Sequence, residues 1–139
     1  MSSRYPFQVP VLTKEEQENG SVFCPQFDEN GLIACVITDS ATKNILMVAY
    51  MNAEALNLTL ESGEAWYWSR SRKELWHKGE TSGQIQKIKS IKTDCDQDTL
   101  LIEVDVQGDG GCCHTGQRSC FFRTLSAQQD GTIRLEKLL

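Results

Sequence analysis

The segment from Thr99 to Gly108, TLLIEVDVQG, is the feature that most constrains the fold. Its apolar residues at positions 100, 102, 104 and 106 alternate with a second set that includes two acids. Side chains of a β-strand point alternately to the two faces of a sheet, so this pattern predicts a strand with one buried face. Such a strand needs partner strands, and the fold must therefore contain a sheet.

Two apolar runs upstream supply candidate partners. LIACVI and ILMVAYM are separated by the turn-forming SATKN, which predicts a β-hairpin over residues 32–51. Asn52 can then cap a short helix, AEALNLTLES, which Gly63 would end. We expect three residues of this helix to face the core: Ala55, Leu56 and Leu60.

The remaining segments are more irregular. The segment AWYWSRSR is typical of a strand that leads into a basic loop, KELWHKGETSG. The next irregular segment, GDGGCCHTGQRSC, is typical of a glycine-rich loop. After it, CFFRTL predicts a strand, and TIRLEKLL predicts either a closing strand or a short helix. Residues 1–30 have the polar composition of an N-terminal arm. We therefore predict an α+β fold: one strand-rich single domain over residues 31–139, with one clear short helix.

The composition limits the functions that the protein can have and the cellular compartment in which we expect it. A net charge of -5 gives no basic surface for nucleic acid, which excludes non-specific nucleic-acid binding. No segment reaches the roughly 18 apolar residues of a membrane span, and the first ten residues lack the features of a signal peptide. We expect a cytoplasmic protein, in which six cysteines are metal ligands, reactive thiols or core residues rather than disulfides.

The later cysteines lie in a setting that suits a metal. Cys95, either Cys112 or Cys113, and Cys120 would come together if the loop after the central strand returned toward its start. Three thiolates would leave one position on a zinc ion open for water, as in catalytic zinc sites. The alternative is that these cysteines only pack in the core, which is the interpretation we keep for Cys24 and Cys35.

The segment TDCDQD places the soft thiolate of Cys95 among carboxylates, which are hard oxygen ligands. In an extended segment Asp94, Asp96 and Asp98 would point to one side and Cys95 to the other. Three close carboxylates repel one another unless a cation neutralises them, so magnesium is a candidate ligand and a solvated acidic turn is the alternative. His114 could be a ligand, a general base or an ordinary loop histidine.

The basic loop offers groups for phosphate. Charged donors and hydroxyls are grouped there, although such a run can also be a solvated surface. The candidates for substrate contact are Arg70, Arg72, Lys78, Thr81 and Ser82. One of the aromatic residues in WYW could stack on a base while another packs in the core.

Four motifs together resemble the phosphoribosyl-AMP cyclohydrolase family of histidine biosynthesis. They are AYMNAEAL, WYWSRSRKELWHKGETSG, KTDCDQD and CCHTGQRSCFFR, in the family's order between about Gly31 and Arg123. Two positions depart from the family's common residues: Gln97 stands where glycine is frequent, and Gln84 where asparagine is frequent. Gln97 is expected to restrict the backbone of the acidic turn.

The resemblance implies an activity and a ligand set. The activity is zinc-dependent hydrolysis of the N1–C6 bond in the adenine ring of 1-(5-phosphoribosyl)-AMP, giving the formimino-aminoimidazole carboxamide ribotide. It implies an intertwined homodimer whose metal site draws on both subunits, and it makes Cys113 the loop ligand. The implied ligands are Cys95, Cys113 and Cys120 for zinc, and Asp94, Asp96 and Asp98 for magnesium, with His114 as the candidate proton carrier.

Two other functions fit parts of the pattern. A zinc-dependent base deaminase would use the same attack on a ring carbon, but its H-x-E and P-C-x-x-C signature is absent. A structural zinc module for protein binding would have a closed site with four protein ligands. Turnover would exclude the structural module.

Overall fold

The computed structural model describes Phe7 and residues 12–138. A four-stranded sheet forms the centre of the molecule. Its strands are β1 (Ile33–Asp39), β2 (Ile45–Met51), β5 (Gln86–Thr93) and β6 (Thr99–Val106). They lie in the order β2-β1-β6-β5, and only β1 and β6 run parallel.

The other elements surround this sheet. Helix α1 (Lys14–Asn19) precedes it, and helix α2 (Ala53–Ser62) follows β2. Two separate hairpins complete the chain: β3 (Trp66–Ser69) with β4 (Glu74–His77), and β7 (Arg123–Ala127) with β8 (Ile133–Lys137). The α+β, strand-rich single domain is confirmed for the described residues.

The central strand forms as its alternation predicts. Leu100, Ile102 and Val104 of β6 are fully buried, whereas Leu101 between them is 38% exposed. The hairpin of β1 and β2 is also confirmed, with Val36 paired to Val48 in register. These buried side chains join one hydrophobic core with residues of α2 and β3.

Helix α2 has the predicted ends and most of the predicted inner face. The side chain of Asn52 accepts a hydrogen bond from the Ala55 amide, and Gly63 has the left-handed φ of 72° expected of a residue that ends a helix. Ala55 and Leu56 are buried, but Leu60 is 38% exposed, so its expected core position is wrong. Thr59 is buried instead, because its hydroxyl bonds both the Ala55 carbonyl and the backbone of Trp66.

Three elements were not predicted from the sequence, and one of two alternatives for a fourth was wrong. The basic loop contains β4, which pairs with β3 across a tight turn at residues 70–73. The edge strand β5 was not predicted, because a register irregularity between Ile88 and Ser90 breaks its alternation. Helix α1 lies within the arm of residues 1–30, and its signal in the sequence is the capping box of Thr13 and Glu16. The alternative short helix at TIRLEKLL is wrong, since β8 is a strand.

None of the helices in the described part of the chain is long and apolar enough to cross a membrane.

Candidate metal and substrate site

The cysteine loop, residues 107–122, leaves β6 and returns to the beginning of β2. The amide of Cys120 donates to the Leu46 carbonyl at 2.7 Å, and the hydroxyl of Ser119 donates to the Ile45 carbonyl at 2.7 Å. Within the loop, the amides of Cys112 and Cys113 both donate to the Gln117 carbonyl. The loop is therefore held against β2 of the central sheet by one backbone amide and one side-chain hydroxyl.

The thiols of this loop have different environments. Burial raises the pKa of Cys112, and the surrounding protein raises the pKa of Cys120 to about 12, although Cys120 as a residue is exposed. Cys113 has a lowered pKa, chiefly because the Thr115 hydroxyl donates to its sulfur at 3.1 Å. Cys113 and Cys120 also affect each other, since Cys120 lowers the pKa of Cys113 and Cys113 raises the pKa of Cys120, so their side chains lie near each other. Cys113 is thus the thiol that deprotonates most readily and the better first ligand for a soft metal.

Buried polar groups support the loop from below. Lys78 is only 8% exposed, and its ammonium donates to the Cys112 carbonyl at 2.5 Å. The Tyr67 hydroxyl donates to Gln86 Oε1 at 2.6 Å, and Gln86 Nε2 lies 3.7 Å from Cys112 Sγ. Sequence reasoning missed Tyr67 and Gln86 because nothing in a single sequence marks a buried polar pair that lies 19 residues apart.

Cys95 lies outside this loop, in the turn between β5 and β6, and it is exposed. Within the part of this chain that the structure describes, Cys95 does not complete a group of three mutually close ligand atoms with Cys113 and Cys120. Cys113 and Cys120 suit zinc as a pair of sulfur ligands. Their assignment together with Cys95 stays a prediction.

The aspartate turn, residues 94–98, does bring its acids together. One oxygen from each of Asp94, Asp96 and Asp98 lies within 4.8 Å of the others, and all three residues are exposed. They form the only such group of three His, Cys, Asp or Glu ligands among the described residues. The segment is a turn rather than the extended stretch that we expected, and its backbone reversal is what lets the oxygens converge.

The contact between Asp94 and Asp98 moves their pKa values in opposite directions. The carboxylate of Asp94 beside Asp98 raises the pKa of Asp98. Burial opposes ionisation of Asp94, but hydrogen bonds from the Asp98 side chain and from the amides of Asp98 and Thr99 outweigh it, and the pKa of Asp94 is lowered. Converging oxygens that compete for one proton are a suitable donor set for a hard divalent cation.

Gln97 is the unexpected residue of this turn. It has a positive φ of 56°, and its side chain is 4% exposed while the neighbouring acids lie in solvent. The expectation that Gln97 restricts the turn agrees with this backbone conformation, which side chains other than glycine adopt infrequently.

The candidate substrate residues line two adjoining cavities. Arg70 lines a cavity of about 480 Å³ with Trp68 and Tyr50, and its guanidinium lies 4.0 Å from the centre of the Tyr50 ring. The second cavity, of about 330 Å³, is lined by the other four candidates: Arg72, Lys78, Thr81 and Ser82. Trp76 lines both cavities, so the five candidates share one surface region.

The two histidines differ in how they are held. His77 stacks on Trp66 with ring centroids 4.4 Å apart, and its Nε2 lies 2.9 Å from a Glu64 oxygen. These contacts explain His77 as part of the β3–β4 hairpin. His114 is exposed and directly follows Cys113 in the loop.

Comparison with known proteins gives the family. The family model described as "Phosphoribosyl-AMP cyclohydrolase" matches residues 47–122, more than half of the chain. A phosphoribosyl-AMP cyclohydrolase from Chelativorans sp. (strain BNC1) is 53% identical over 135 residues, 97% of each chain. One from Brucella suis is 58% identical over 119 residues, 86% of each chain, and one from Nitrobacter winogradskyi is 53% identical over 88% of this chain and 83% of its own. The chain belongs to the phosphoribosyl-AMP cyclohydrolase family of hydrolases.

Proposed function

We propose that this protein opens the adenine ring of 1-(5-phosphoribosyl)-AMP by zinc-dependent hydrolysis of the N1–C6 bond, a step of histidine biosynthesis. The observation that carries the proposal is the cysteine loop, in which Cys113, with its lowered pKa, directly precedes an exposed His114 and lies near Cys120, within a chain of the cyclohydrolase family. The product is the ring-opened formimino-aminoimidazole carboxamide ribotide.

The zinc site is proposed to consist of Cys113 and Cys120 with Cys95. Bound there, zinc would lower the pKa of a water molecule enough for attack on C6 at neutral pH. Residues of the chain would position the thiol and transfer the protons. Lys78 and the Thr115 hydroxyl hold the loop and its thiol in place, and His114 accepts and returns protons at its ring nitrogen as the tetrahedral carbon forms and collapses.

The substrate is proposed to lie across the two adjoining cavities. Their arginines and hydroxyls suit the phosphoribosyl groups, since guanidinium groups bind phosphate with two parallel hydrogen bonds. Trp68 and Trp76 offer aromatic faces for the purine. Magnesium at Asp94, Asp96 and Asp98 would neutralise a phosphate or orient the substrate.

A homodimer is part of the proposal, because the described residues leave apolar surface exposed, including on one hairpin and on the central sheet. The hairpin of β7 and β8 carries Leu125, Ile133 and Leu135 with exposed fractions of 73%, 67% and 54%. Val48 and Leu101 are exposed on the sheet. A second copy that covers such surfaces would bury apolar area and could bring Cys95 of one chain to Cys113 and Cys120 of the other.

The first experiment is turnover of phosphoribosyl-AMP by the purified protein, before and after zinc chelation and again after zinc is restored. We expect activity to be lost with the metal and to return with it. A folded, zinc-loaded protein without turnover would contradict the proposal and favour a structural zinc module.

Subunit complementation tests the shared site. Cys95→Ser and Cys113→Ser should each be inactive alone. Mixing equal amounts under conditions that exchange subunits should restore about a quarter of wild-type activity, because half of the dimers are mixed and each mixed dimer has one intact site of two. Mixtures without activity, with subunit exchange verified by mass spectrometry, would mean that the site does not form across two chains in this way.

A further inference from the structure

The acidic turn is fastened to a part of the chain that lies more than 70 residues away. Gln97 Oε1 accepts a hydrogen bond from the Cys24 amide at 2.7 Å, and Gln97 Nε2 donates to the Gln17 carbonyl at 2.9 Å and the Val22 carbonyl at 3.3 Å. One side chain thus uses both atoms of its amide to hold the segment from Gln17 to Gln26, which we call the N-terminal strap.

The backbone of the turn takes part as well. The Gln97 carbonyl accepts from the Gln26 amide at 2.7 Å, and the Asp96 carbonyl accepts from Gln17 Nε2 at 2.7 Å. Cys24 is 1% exposed and Gln97 is 4% exposed, so the bond from the Cys24 amide to Gln97 Oε1 is buried, whereas the bonds at Gln17 and Val22 lie nearer the surface. The buried bond is costly to break, because the freed amide would be left without a partner away from water.

At the junction between strap and turn, Gln97 has an energetically unfavourable backbone conformation. A left-handed φ of 56° is unfavourable for a residue with a Cβ, and it persists where surrounding contacts determine it. Here the contacts come from the strap. The same φ directs the Gln97 side chain inward, while Asp96 and Asp98 on either side remain exposed with converging oxygens.

We propose that Gln97 is a positioning residue that makes the N-terminal strap part of the framework of the aspartate cation site. The inference rests on the proposed function, in which these aspartates bind a divalent cation. The strap itself contributes no ligand. It fixes the backbone on either side of Gln97, and through it the separation of the three carboxylates.

The test is Mn²⁺ binding to the zinc-loaded protein, measured by electron paramagnetic resonance, since Mn²⁺ accepts the same oxygen ligands as magnesium. Gln97→Gly removes the amide and leaves a backbone that adopts positive φ freely, so the turn can still form. We expect about a tenfold loss of Mn²⁺ affinity, the usual scale for groups that orient metal ligands. Zinc content should stay at the wild-type level.

Two further variants keep the test specific. Gln17→Ala removes only the bond to the Asp96 carbonyl and should weaken Mn²⁺ binding by roughly threefold, the effect of one hydrogen bond. Gln26→Ala is the matched control, because its side chain bonds the Cys24 carbonyl within the strap and does not reach the turn. It should bind Mn²⁺ as the wild type does.

Hydrogen exchange supplies a reading that does not depend on the metal. In Gln97→Gly the amides of residues 17–26 should exchange faster, while those of β1 and β6 stay protected. Unchanged exchange in the strap, or faster exchange with unchanged Mn²⁺ affinity, would overturn the inference and leave the cation site standing. Wild-type protein that binds no Mn²⁺ would overturn the cation site and this inference with it.

Discussion

The cysteine loop and the aspartate turn both carry candidate metal ligands, but the surroundings of these ligands differ. Each contains two candidate ligand groups whose pKa values move apart: the pKa of Cys113 is lowered and that of Cys120 raised, and the pKa of Asp94 is lowered and that of Asp98 raised. In the loop the main cause for Cys120 is removal from water, whereas in the turn the main cause for Asp98 is its neighbour's carboxylate. Burial therefore has the largest effect on the candidate soft ligand Cys120, and a crowding carboxylate has the largest effect on the candidate hard ligand Asp98.

The supports of the two sites differ too. The cysteine loop is held by β2 and by buried Lys78, both of which belong to the core domain. The aspartate turn is held by the strap near the N-terminus through Gln97. Damage to one support should therefore affect one metal and spare the other, which the following variants can test.

The largest effect is expected from Cys113→Ser. Serine is a poor zinc ligand, so the variant should lose bound zinc and all measurable turnover while Mn²⁺ binding at the aspartates persists. The control is Cys112→Ser, one residue away, whose sulfur is buried and lies 3.7 Å from Gln86 Nε2. Elemental analysis that found full zinc in Cys113→Ser, or loss of zinc only in Cys112→Ser, would contradict the ligand assignment.

The two sites should also differ in how their metal affinity depends on pH. Cys120 has a pKa of about 12, so at neutral pH zinc must displace its proton, and raising the pH makes that displacement easier. The apparent zinc affinity should rise about tenfold per pH unit for each thiol displaced between pH 6.5 and 7.5, in competition with a chelator of known affinity.

At the aspartate site, metal affinity should depend on pH only in the acidic range. The neighbouring Asp94 carboxylate raises the pKa of Asp98 above its ordinary value of 3.8, so protons compete with a cation for Asp98 as the pH falls toward that raised pKa. Mn²⁺ affinity should therefore be flat between pH 6.5 and 7.5 and weaken in acid. Equal pH slopes for the two metals would remove the distinction between the sites.

Asp96→Asn should have a smaller and confined effect. It removes one charge from the turn, whereas Asp94 also accepts bonds from the amides of Asp98 and Thr99 and would disturb the backbone if changed. We expect Mn²⁺ affinity to fall by about tenfold, because each carboxylate supplies both a ligand and a charge. Zinc content should not change, and a parallel loss of zinc would show that the two sites are coupled.

The smallest effect is expected from Lys78→Met. The change leaves the Cys112 carbonyl without its donor but also removes a buried charge, so the free energy of unfolding should fall by only about 1 kcal/mol. Zinc should dissociate faster from the loosened loop, which a chelator chase measures. A raised KM with unchanged zinc release would instead assign Lys78 to substrate contact alone.

Sequence patterns predicted the regular elements where local signals are strong. The alternation of β6, the hairpin of β1 and β2 and the capped helix α2 all depend on neighbouring residues, and the structure confirms them. Strand β5 was missed because its irregularity at Ile88 and Ser90 disrupts the period that identifies a strand. Leu60 was placed wrongly, since the Thr59 hydroxyl finds partners in the next strand that no helical pattern reveals.

The candidate site was predictable in composition but not in arrangement. Its cysteines, aspartates and basic residues stand in recognisable motifs, and the family follows from them. The anchoring of the loop by Lys78, and the failure of Cys95, Cys113 and Cys120 to form one close group among the described residues, depend on loop paths. Loop paths are set by long-range hydrogen bonds and packing, which single-sequence periodicity does not encode.

The sequence by itself determined the family, the chemistry available to it and the main strands, because side-chain type and local spacing are written in residue order. Only the tertiary structure decided that Gln97 turns inward to hold a strap from the other end of the chain, and that Lys78 is buried beneath the cysteine loop. The physical reason is that a polar side chain takes its role from the partners that folding brings within hydrogen-bond distance. Those partners lie 34 to 80 residues away in the sequence.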